Sequence, residues 1–269
     1  MDISLNWERN AFLGGITNTY ELAEFQFNEL EPVAEGMLFF DGLPDTGLVG
    51  TIVAHHLVGA KKMSPLVRID SNLLPPVAVV KDMDLFEPLS VYRSGTLAVL
   101  TSEIPIPTEA VKPFSRELTS WAARRKLRAI ISVGGLADPR RPETDNPEVL
   151  YITNSPETFS SQVDLKGLKP LASAFLAGSK AAFLLDCYRA KLPTLGLFVQ
   201  SFLNYPDPGA AASALDALNN VSELNVDTSE LVKSGEEMRL RYRDLMRRTM
   251  GEMERAQKSR ELETPSLVV

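Results

Sequence analysis

The stretch MLFFDGLPDTGLVG, residues 37–50, decides the fold that this sequence predicts. Residues 37–41 form an almost unbroken apolar run, which is typical of a strand buried on both faces of a sheet. The glycine-rich turn over residues 42–50 leads into a helix that we expect to end near Gly59. A buried strand followed by a turn and a helix is the repeating unit of an α/β sheet.

The same alternation of apolar runs and helical stretches continues along the chain. Further strands are predicted over residues 65–69, 77–80, 89–93, 97–101, 129–133, 149–153 and 194–199. Helices are predicted over residues 108–126, 176–190, 208–220 and 227–261. These elements predict an α/β protein with a three-layer α/β/α fold and a mostly parallel sheet, which the hairpin near residues 77–101 makes mixed.

Local composition suggests how the chain is organised. The strand over residues 129–133 is expected to stop at Gly134-Gly135, and residues 138–148, with three prolines, are expected to form a long exposed loop. At Asp227 the composition becomes charged and rich in methionine. We therefore divide the chain into an α/β core domain, residues 1–225, and a long C-terminal amphipathic helix with a short apolar tail, residues 226–269.

Composition and charge exclude several classes of function. The 269 residues carry a formal net charge of −7, which disfavours general nucleic-acid binding and docking on anionic lipid. The single cysteine, Cys187, excludes an internal disulfide and a multi-cysteine metal site, and we expect it to be buried and inert. The chain shows neither a signal peptide nor an apolar run of the ~20 residues that span a bilayer. We expect a cytoplasmic protein.

The turn over residues 42–50 is the first candidate for a ligand site. Backbone N–H groups between a strand and a helix can hold an anion, but the lysine of a phosphate loop is missing after Gly47. Asp45 also places negative charge where an anion would lie. The turn is either a tight packing turn or part of a pocket, and the candidate pocket comprises Gly42, Asp45, Thr46, Gly47, Gly50, Glu103, Gly134 and Gly135.

Acid–base and metal chemistry have few candidates in this sequence. Glu103 follows a predicted strand, at the edge where α/β proteins bind ligands, but a structural role in a proline-rich turn explains it equally well. His55 and His56 are adjacent on a helix and point about 100° apart, so they cannot chelate one metal together. We assign no catalytic residue, metal ligand or cofactor, and the sequence favours a protein that is not an enzyme.

An apolar stripe marks the C-terminal helix. Its members recur at steps of three or four residues, with one leucine beside them. The stripe either packs on the chain's own domain or contacts an oligomer partner, since methionine-rich surfaces adapt well. The last three residues form a candidate docking tail. The stripe comprises Met238, Tyr242, Leu245, Met246, Met250 and Met253, and the tail comprises Leu267, Val268 and Val269.

Seven short motifs lie along the chain, at residues 42–54, 74–76, 91–92, 102–107, 121–122, 134–135 and 205–211. Together they resemble the proteasome assembly chaperone family in its archaeal form. The resemblance implies a fold similar to nucleoside phosphorylases, homo-oligomers, and binding to proteasome α subunits or the assembled core particle. Members that dock on the core particle can use a C-terminal hydrophobic–Tyr–any motif, and here Val268 stands at the tyrosine position. Some members are labelled ATP-grasp enzymes, which the missing phosphate lysine does not support.

Three functional hypotheses follow. The first is a non-enzymatic, homo-oligomeric chaperone-like protein that binds proteasome α subunits or the core particle. The second is a nucleotide-binding or small-ligand-binding protein, or an enzyme, with its site at the 42–50 turn and Glu103. The third is a paralogue that keeps the fold and serves another protein partner.

Overall fold

A computed structural model describes residues 24–81, 83–160, 165, 167–222 and 224–263. Its strands are β1 Gln26–Glu29, β2 Leu38–Gly42, β3 Ser64–Asp70, β4 Val79–Lys81, β5 Asp84–Phe86, β6 Leu89–Ser94, β7 Leu97–Ser102, β8 Ala129–Ala137, β9 Val149–Thr153, β10 Lys169–Pro170 and β11 Thr194–Ser201. Its α-helices are α1 Val49–Ala60, α2 Val111–Arg124, α3 Pro156–Ser160, α4 Gly178–Arg189, α5 Pro208–Ser222, α6 Ser229–Lys233 and α7 Gly235–Glu263.

Nine of these strands form one sheet in the order β1-β3-β6-β7-β2-β8-β11-β9-β10. The four central strands, β7, β2, β8 and β11, run parallel, and antiparallel strands flank them on both sides. Phe40 of β2 lies opposite Val99 on one neighbour and Ile131 on the other, so the central strand has apolar neighbours on both sides. The sheet is the predicted mixed sheet, with parallel strands at its centre.

Helices cover both faces of the sheet and bury two apolar clusters. Helices α1, α5, α6 and α7 pack on one face, where Ile52 and Leu215 are buried. Helices α2 and α4 pack on the other face around Trp121 and Phe183. The three layers confirm the predicted α/β/α fold class. The central strands are apolar on both sides because each face is covered.

Helix α7 extends from one face to the carboxyl end of the central strands. Its first half packs on the α1/α5 layer through Tyr242 and Met246. Farther along, Glu252 Oε2 accepts a hydrogen bond of 3.1 Å from the Thr108 amide in the turn after β7. Helix α7 therefore packs beside the turns that follow the strands, where ligands bind in α/β proteins.

The sequence predicted that the strand over residues 129–133 stops at Gly134-Gly135, but the glycine pair does not end β8. Strand β8 continues through Gly134-Gly135 to Ala137, because β11 pairs with it residue by residue as far as Ser201. The strand predicted over residues 77–80 corresponds to β4, which lies outside the main sheet and pairs with β5 in a separate two-stranded sheet. The hairpin within the main sheet is formed by β6 and β7.

The segment over residues 138–148 is not simply an exposed loop. Arg141 within it is buried and makes two hydrogen bonds, of 2.8 and 2.9 Å, to the Asp207 carboxylate. Asp207 Oδ1 also accepts a hydrogen bond from the Ala210 amide and caps α5. The buried ion pair attaches the segment to the start of α5, a long-range contact that local composition does not reveal.

The single helix predicted over residues 227–261 is two helices. Helix α6 ends at Lys233, and α7 begins at Gly235. Ser234 lies between them with φ −95° and ψ 19°, which is outside the helical region. A serine–glycine pair is a recognised site of helix breaks, because glycine gains little from the helical conformation.

Candidate functional site

The central strands end at a cavity of about 390 Å³. It is lined by the carboxyl end of β8, the turn after β2, residues 174–177, α4 and Met253 of α7. Its volume lies in the range of small-molecule pockets, and its position is the usual ligand site of α/β sheets. The lining residues that carry the argument are Asp45, Gly135, Phe175, Lys180, Phe198 and Met253.

Asp45 is the buried acid of this cavity. It is 5% exposed, and its Oδ2 accepts a hydrogen bond of 2.8 Å from the Gly135 amide. Its Oδ1 makes no hydrogen bond of full geometry among the described residues, although the Gly50 amide acts on this carboxyl group and favours its ionised form. Burial raises the pKa of Asp45 to about 7, although the Lys180 ammonium group and the Gly135 amide act to lower it. Asp45 is therefore a hydrogen-bond acceptor whose charge changes near neutral pH.

Lys180 is the buried cation beside Asp45. Its Nζ lies 3.1 Å from Asp41 Oδ2 and 3.3 Å from the Asp41 carbonyl oxygen. Asp41 also accepts hydrogen bonds from the Ser132 hydroxyl and from the Leu43 amide, so both carboxylate oxygens are satisfied. The Asp41–Lys180 pair is neutral overall and fixes α4 to the carboxyl end of β2.

Sequence reasoning overlooked both members of this pair. Asp41 looked like the polar end of an apolar strand, and Lys180 lay in the helix predicted over residues 176–190 without being assigned a role. One signal was available, because Lys180 is followed by Phe183, Leu184 and Cys187 at helical spacing. A lysine on the apolar face of a helix is expected to be buried and paired with an acid.

Glycines allow the backbone around the cavity to pack closely. A Cβ on Gly50 would lie 2.2 Å from the Val133 carbonyl oxygen, and one on Gly135 would lie 2.2 Å from the Thr46 carbonyl oxygen. A Cβ on Gly134 would lie 2.8 Å from Asp45 Oδ2. The predicted grouping of Asp45, Thr46 and these three glycines is therefore close in space, and their backbones leave no room for side chains.

The two remaining glycines of the turn pack away from the cavity lining. A Cβ on Gly42 would lie 2.2 Å from the Leu100 carbonyl oxygen, between two strands. Gly47 has φ +67°, and a Cβ there would overlap the Ser201 hydroxyl. At these two residues glycine allows close packing of the turn, which is one of the two alternatives that the sequence left open.

The chemistry of the cavity suits a hydrogen-bond donor better than an anion. Asp45 and Lys180 are the titratable residues among its lining, and Lys180 is already paired with Asp41. A phosphate would meet the Asp45 carboxyl group at the place where a phosphate loop offers a lysine. The cavity therefore gives no support to a nucleotide site.

Glu103 is not part of this cavity lining. Its Oε1 lies 3.0 Å from Nε2 of His55 on α1, without the alignment of a hydrogen bond. On the other side of the ring, His55 Nδ1 lies 2.9 Å from the Tyr242 hydroxyl group. Glu103, His55 and Tyr242 form a separate cluster, which the sequence did not predict because it joins three distant segments. Burial raises the pKa of Tyr242 to about 12, so its hydroxyl stays protonated.

The apolar stripe of α7 faces the chain's own core. Tyr242, Leu245 and Met246 are buried in the cluster beneath α1 and α5. Met238 and Met250 are partly buried against the same cluster, and Met253 lines the cavity. Of the two alternatives, packing within the chain accounts for the described contacts, and a partner would reach the three buried residues only after α7 left the core. A partner contact by the stripe stays a prediction.

Three further predictions concern the tail, the cysteine and metal binding. Leu267, Val268 and Val269 lie outside the described residues. Cys187 is buried, and burial raises the pKa of its thiol to about 12, so it has no thiolate reactivity near neutral pH. Over the described ranges, no group of three or more histidine, cysteine, aspartate or glutamate side chains is placed to hold a metal ion.

Within the described residues, no helix has both the length and the apolar composition needed to cross a bilayer.

Comparison with known proteins identifies relatives over most of the chain. A model of the PAC2 family matches residues 39–246. An uncharacterized protein of Methanocaldococcus jannaschii is 20% identical over 225 residues, which cover 83% of this chain and 91% of that protein.

Solved structures share the fold. The chain is similar to Pyrococcus furiosus PbaA, an archaeal homolog of proteasome-assembly chaperone, with a TM-score of 0.77 and 26% identity. The match covers 84% of this chain and 99% of PbaA. Pyrococcus furiosus PbaB, an archaeal proteasome activator, matches with a TM-score of 0.67 and 18% identity over 83% of this chain and 99% of PbaB, which is a likeness of fold.

Proposed function

The chain belongs to the PAC2 family, and we propose that it acts as a chaperone-like protein in proteasome assembly. In this proposal it binds proteasome α subunits or the assembled core particle, as a cytoplasmic homo-oligomer without enzymatic activity. The observation that carries the proposal is the match to PbaA, an archaeal homolog of proteasome-assembly chaperone, at 26% identity over 84% of this chain. The PAC2 family model, over residues 39–246, includes the core on which α7 packs.

The hairpin of β4 and β5 supports a role in protein binding. It pairs with no strand of the main sheet. Val80 and Leu85 are 71% and 62% exposed, and Met83 at its turn is fully exposed. Apolar side chains kept in water on a protruding hairpin are typical of a protein contact surface. We assign this hairpin to the contact between copies of the chain.

The proteasome contact is assigned to the segment after α7. Residues 264–269 contain the apolar sequence Leu267-Val268-Val269, which matches the hydrophobic position of a docking tail. Helix α7 is held on the core by Tyr242 and by the Glu252–Thr108 contacts, so it presents its C-terminal end from a fixed base. A short apolar peptide suits a groove on a partner protein.

A binding experiment with α subunits tests the proposal. The purified chain is mixed with proteasome α subunits from the same source, and complexes are identified by native mass spectrometry. We expect a complex of defined stoichiometry, which is lost when residues 264–269 are deleted. Binding that survives the deletion would contradict the docking tail. An intact oligomer that binds no α subunit would contradict the proteasome role and favour the paralogue with another partner.

The hairpin is tested separately by the double variant Met83→Ser, Leu85→Ser. Both side chains are exposed, so the substitutions leave the core intact. We expect a smaller oligomer in native mass spectrometry, with an unchanged melting temperature of the monomer fold. The matched control is Leu185→Ser on α4, an apolar residue that is 51% exposed and distant from the hairpin in sequence. An unchanged oligomer in the double variant would overturn this assignment.

A further inference from the structure

We infer that the β4–β5 hairpin of one copy of the chain inserts Met83 into the cavity at the carboxyl end of the central strands of a neighbouring copy. The inference rests on the proposed contact between copies, and it names the surface that receives the hairpin. Each copy then both donates a hairpin and accepts one, so a residue of the partner completes the cavity.

Met83 occupies a backbone position that is unfavourable for a methionine. Lys81 pairs with Asp84, so Met83 lies in a tight two-residue turn, and its φ is +64°. Such a turn favours glycine or asparagine, because at positive φ the Cβ of other residues approaches a carbonyl oxygen. The side chain is nevertheless apolar and fully exposed. A strained position that holds an apolar side chain in water indicates that this side chain has a use outside its own fold.

The hairpin and the cavity lie at the same edge of the sheet. Strand β3 runs antiparallel to β6, and β6 runs antiparallel to β7, so β3 ends at the carboxyl edge of the parallel strands. The chain leaves the main sheet at Asp70, forms the hairpin and returns at Leu89 on that edge. The cavity is at the end of β8, which lies three strand spacings from β6, or about 14 Å.

This placement makes the contact intermolecular. Met83 is fully exposed, so the hairpin does not occupy the cavity of its own chain. Two copies that face each other at the carboxyl edge bring a hairpin opposite a cavity. Because the contact joins two different patches, it repeats around a closed ring or occurs twice in a two-fold pair.

The lining of the cavity suits a thioether side chain. Phe198 and Met253 contribute apolar surface, and Phe175, which is 80% exposed, leaves the cavity accessible from solvent. Methionine sulfur packs favourably against aromatic rings, and the three rotatable bonds of the side chain adapt to an irregular wall. The volume of about 390 Å³ equals roughly 13 water volumes, which leaves room for Met83 and the turn atoms beside it.

The charged groups of the cavity already have partners. Lys180 Nζ lies 3.1 Å from Asp41 Oδ2, and Asp45 Oδ2 accepts a hydrogen bond from the Gly135 amide. A neutral apolar side chain leaves these contacts intact. A charged ligand would be desolvated there without a free counterion. The lining therefore favours the apolar hairpin over a small ionic ligand.

Disulfide cross-linking between two singly substituted chains tests the contact. One chain carries Met83→Cys, and the other carries Ala137→Cys on an exposed lining residue of the cavity. A disulfide requires Cα atoms within about 7 Å of each other, so it reports direct approach. We expect the mixed disulfide to be the main product of oxidising the equimolar mixture, as identified by mass spectrometry of the non-reduced digest. The native Cys187 is buried and does not compete.

The matched control for the cross-link is Ala123→Cys. Ala123 is also exposed, but it lies near the far end of α2, a helix of 14 residues that begins beside the turn after β7. Such a helix is about 20 Å long, so this thiol is remote from the carboxyl edge. We expect the mixture of Ala123→Cys with Met83→Cys to give no mixed disulfide.

Two further variants test the contact through the affinity between copies. Met83→Gly removes the side chain and relieves the positive φ, and Ala181→Phe fills the cavity from within. We expect each to raise the dissociation constant of the oligomer at least about tenfold in analytical ultracentrifugation. The matched control is Lys62→Gly, which relieves a φ of +46° in the turn after α1 and is expected to leave that constant unchanged.

The outcomes separate this inference from the proposed contact between copies. A disulfide within Met83→Cys alone, with none to Ala137→Cys, would show that hairpins pair with each other, which overturns the inference and keeps the proposed contact. A wild-type chain that stays monomeric would contradict the proposed contact itself. An unchanged dissociation constant in both Met83→Gly and Ala181→Phe would also overturn the inference. If Ala181→Phe fails to fold, the cross-link and Met83→Gly still decide the question.

Discussion

The hydroxyl group of Tyr242 lies 2.9 Å from Nδ1 of His55, and the two residues are 187 positions apart in the sequence. The rings also stack, with centroids 5.6 Å apart. This contact joins α7 to α1 and brings the apolar stripe of α7 onto the core. The sequence left open whether α7 packs on a partner or on the chain itself. This contact holds α7 on its own domain.

Tyr242→Phe tests the contribution of this hydrogen bond to the docking of α7. The ring and its packing remain, so we expect a loss of about 1 kcal/mol in the free energy of unfolding. Amide hydrogen exchange in α7 is expected to accelerate, because local undocking costs less. The matched control is Tyr205→Phe, which removes a hydroxyl from a half-exposed ring and is expected to change stability by less than about 0.5 kcal/mol. Unchanged exchange in α7 would show that the bond does not hold the helix.

Lys180→Met tests the buried ion pair with Asp41. The substitution keeps the apolar stem but leaves a buried carboxylate without its cation, which costs about 3–5 kcal/mol. Lys169→Met removes a lysine that pairs with Glu148 at the surface, and a loss of about 0–1 kcal/mol is expected there. Urea denaturation of the two variants measures the difference. Equal losses would mean that the Asp41–Lys180 pair is not buried as described.

Asp45→Asn tests the pH dependence that a raised carboxyl pKa imposes. The pKa of Asp45 is about 7 in the folded chain and near 3.9 in the unfolded chain, so the folded state retains a proton that the unfolded state releases. Wild-type stability is therefore lost as pH rises between these two values and levels off above about pH 7. Asparagine does not titrate, so the stability of Asp45→Asn does not fall with pH for this reason.

We expect the stability of Asp45→Asn relative to the wild type to increase by about 2–3 kcal/mol between about pH 5 and about pH 8. Denaturation curves of both proteins at the two pH values measure it. A difference that does not change with pH would show that Asp45 titrates at an ordinary carboxyl pKa.

Two glycines of α1 are expected to respond to alanine in opposite ways. In Gly50→Ala the new Cβ would lie 2.2 Å from the Val133 carbonyl oxygen, a backbone atom, so the helix must shift at a cost of about 1–3 kcal/mol. In Gly59→Ala nothing lies within 4 Å of the new Cβ, and the helix gains about 0.5–1 kcal/mol. Thermal unfolding of both variants gives the signs. Two shifts in the same direction would contradict the close approach of α1 to β8.

Much of the fold was predictable because its signals are local. Apolar runs buried on both faces marked β2 and β11, and the strands predicted over residues 89–93 and 97–101 correspond to β6 and β7. The extension of β8 through Gly134-Gly135 was missed, because its cause is the pairing with β11 and not the residues themselves. The break at Ser234 was missed because the charge pattern of the helix continues across it.

Part of the candidate site was predictable and part was not. Asp45, Thr46 and the glycines of β8 lie where the strand–turn–helix pattern placed them, at the carboxyl end of the sheet. Glu103 was grouped with them on the same argument, but its neighbours are His55 and Tyr242. A position directly after a strand places a residue at the correct edge of the sheet. It does not determine which cavity at that edge the side chain enters.

The sequence by itself determined the layers of this protein, since hydrophobic periodicity and turn residues act over a few positions and set which segments become strands or helices. Only the tertiary structure decided that Lys180 neutralises Asp41, that Asp45 is buried beside them, and that Tyr242 meets His55. Asp41 and Lys180 are 139 positions apart in the sequence, and His55 and Tyr242 are 187 positions apart. Their energies arise from burial, which removes water from charges and hydrogen bonds and exists only once the chain has folded.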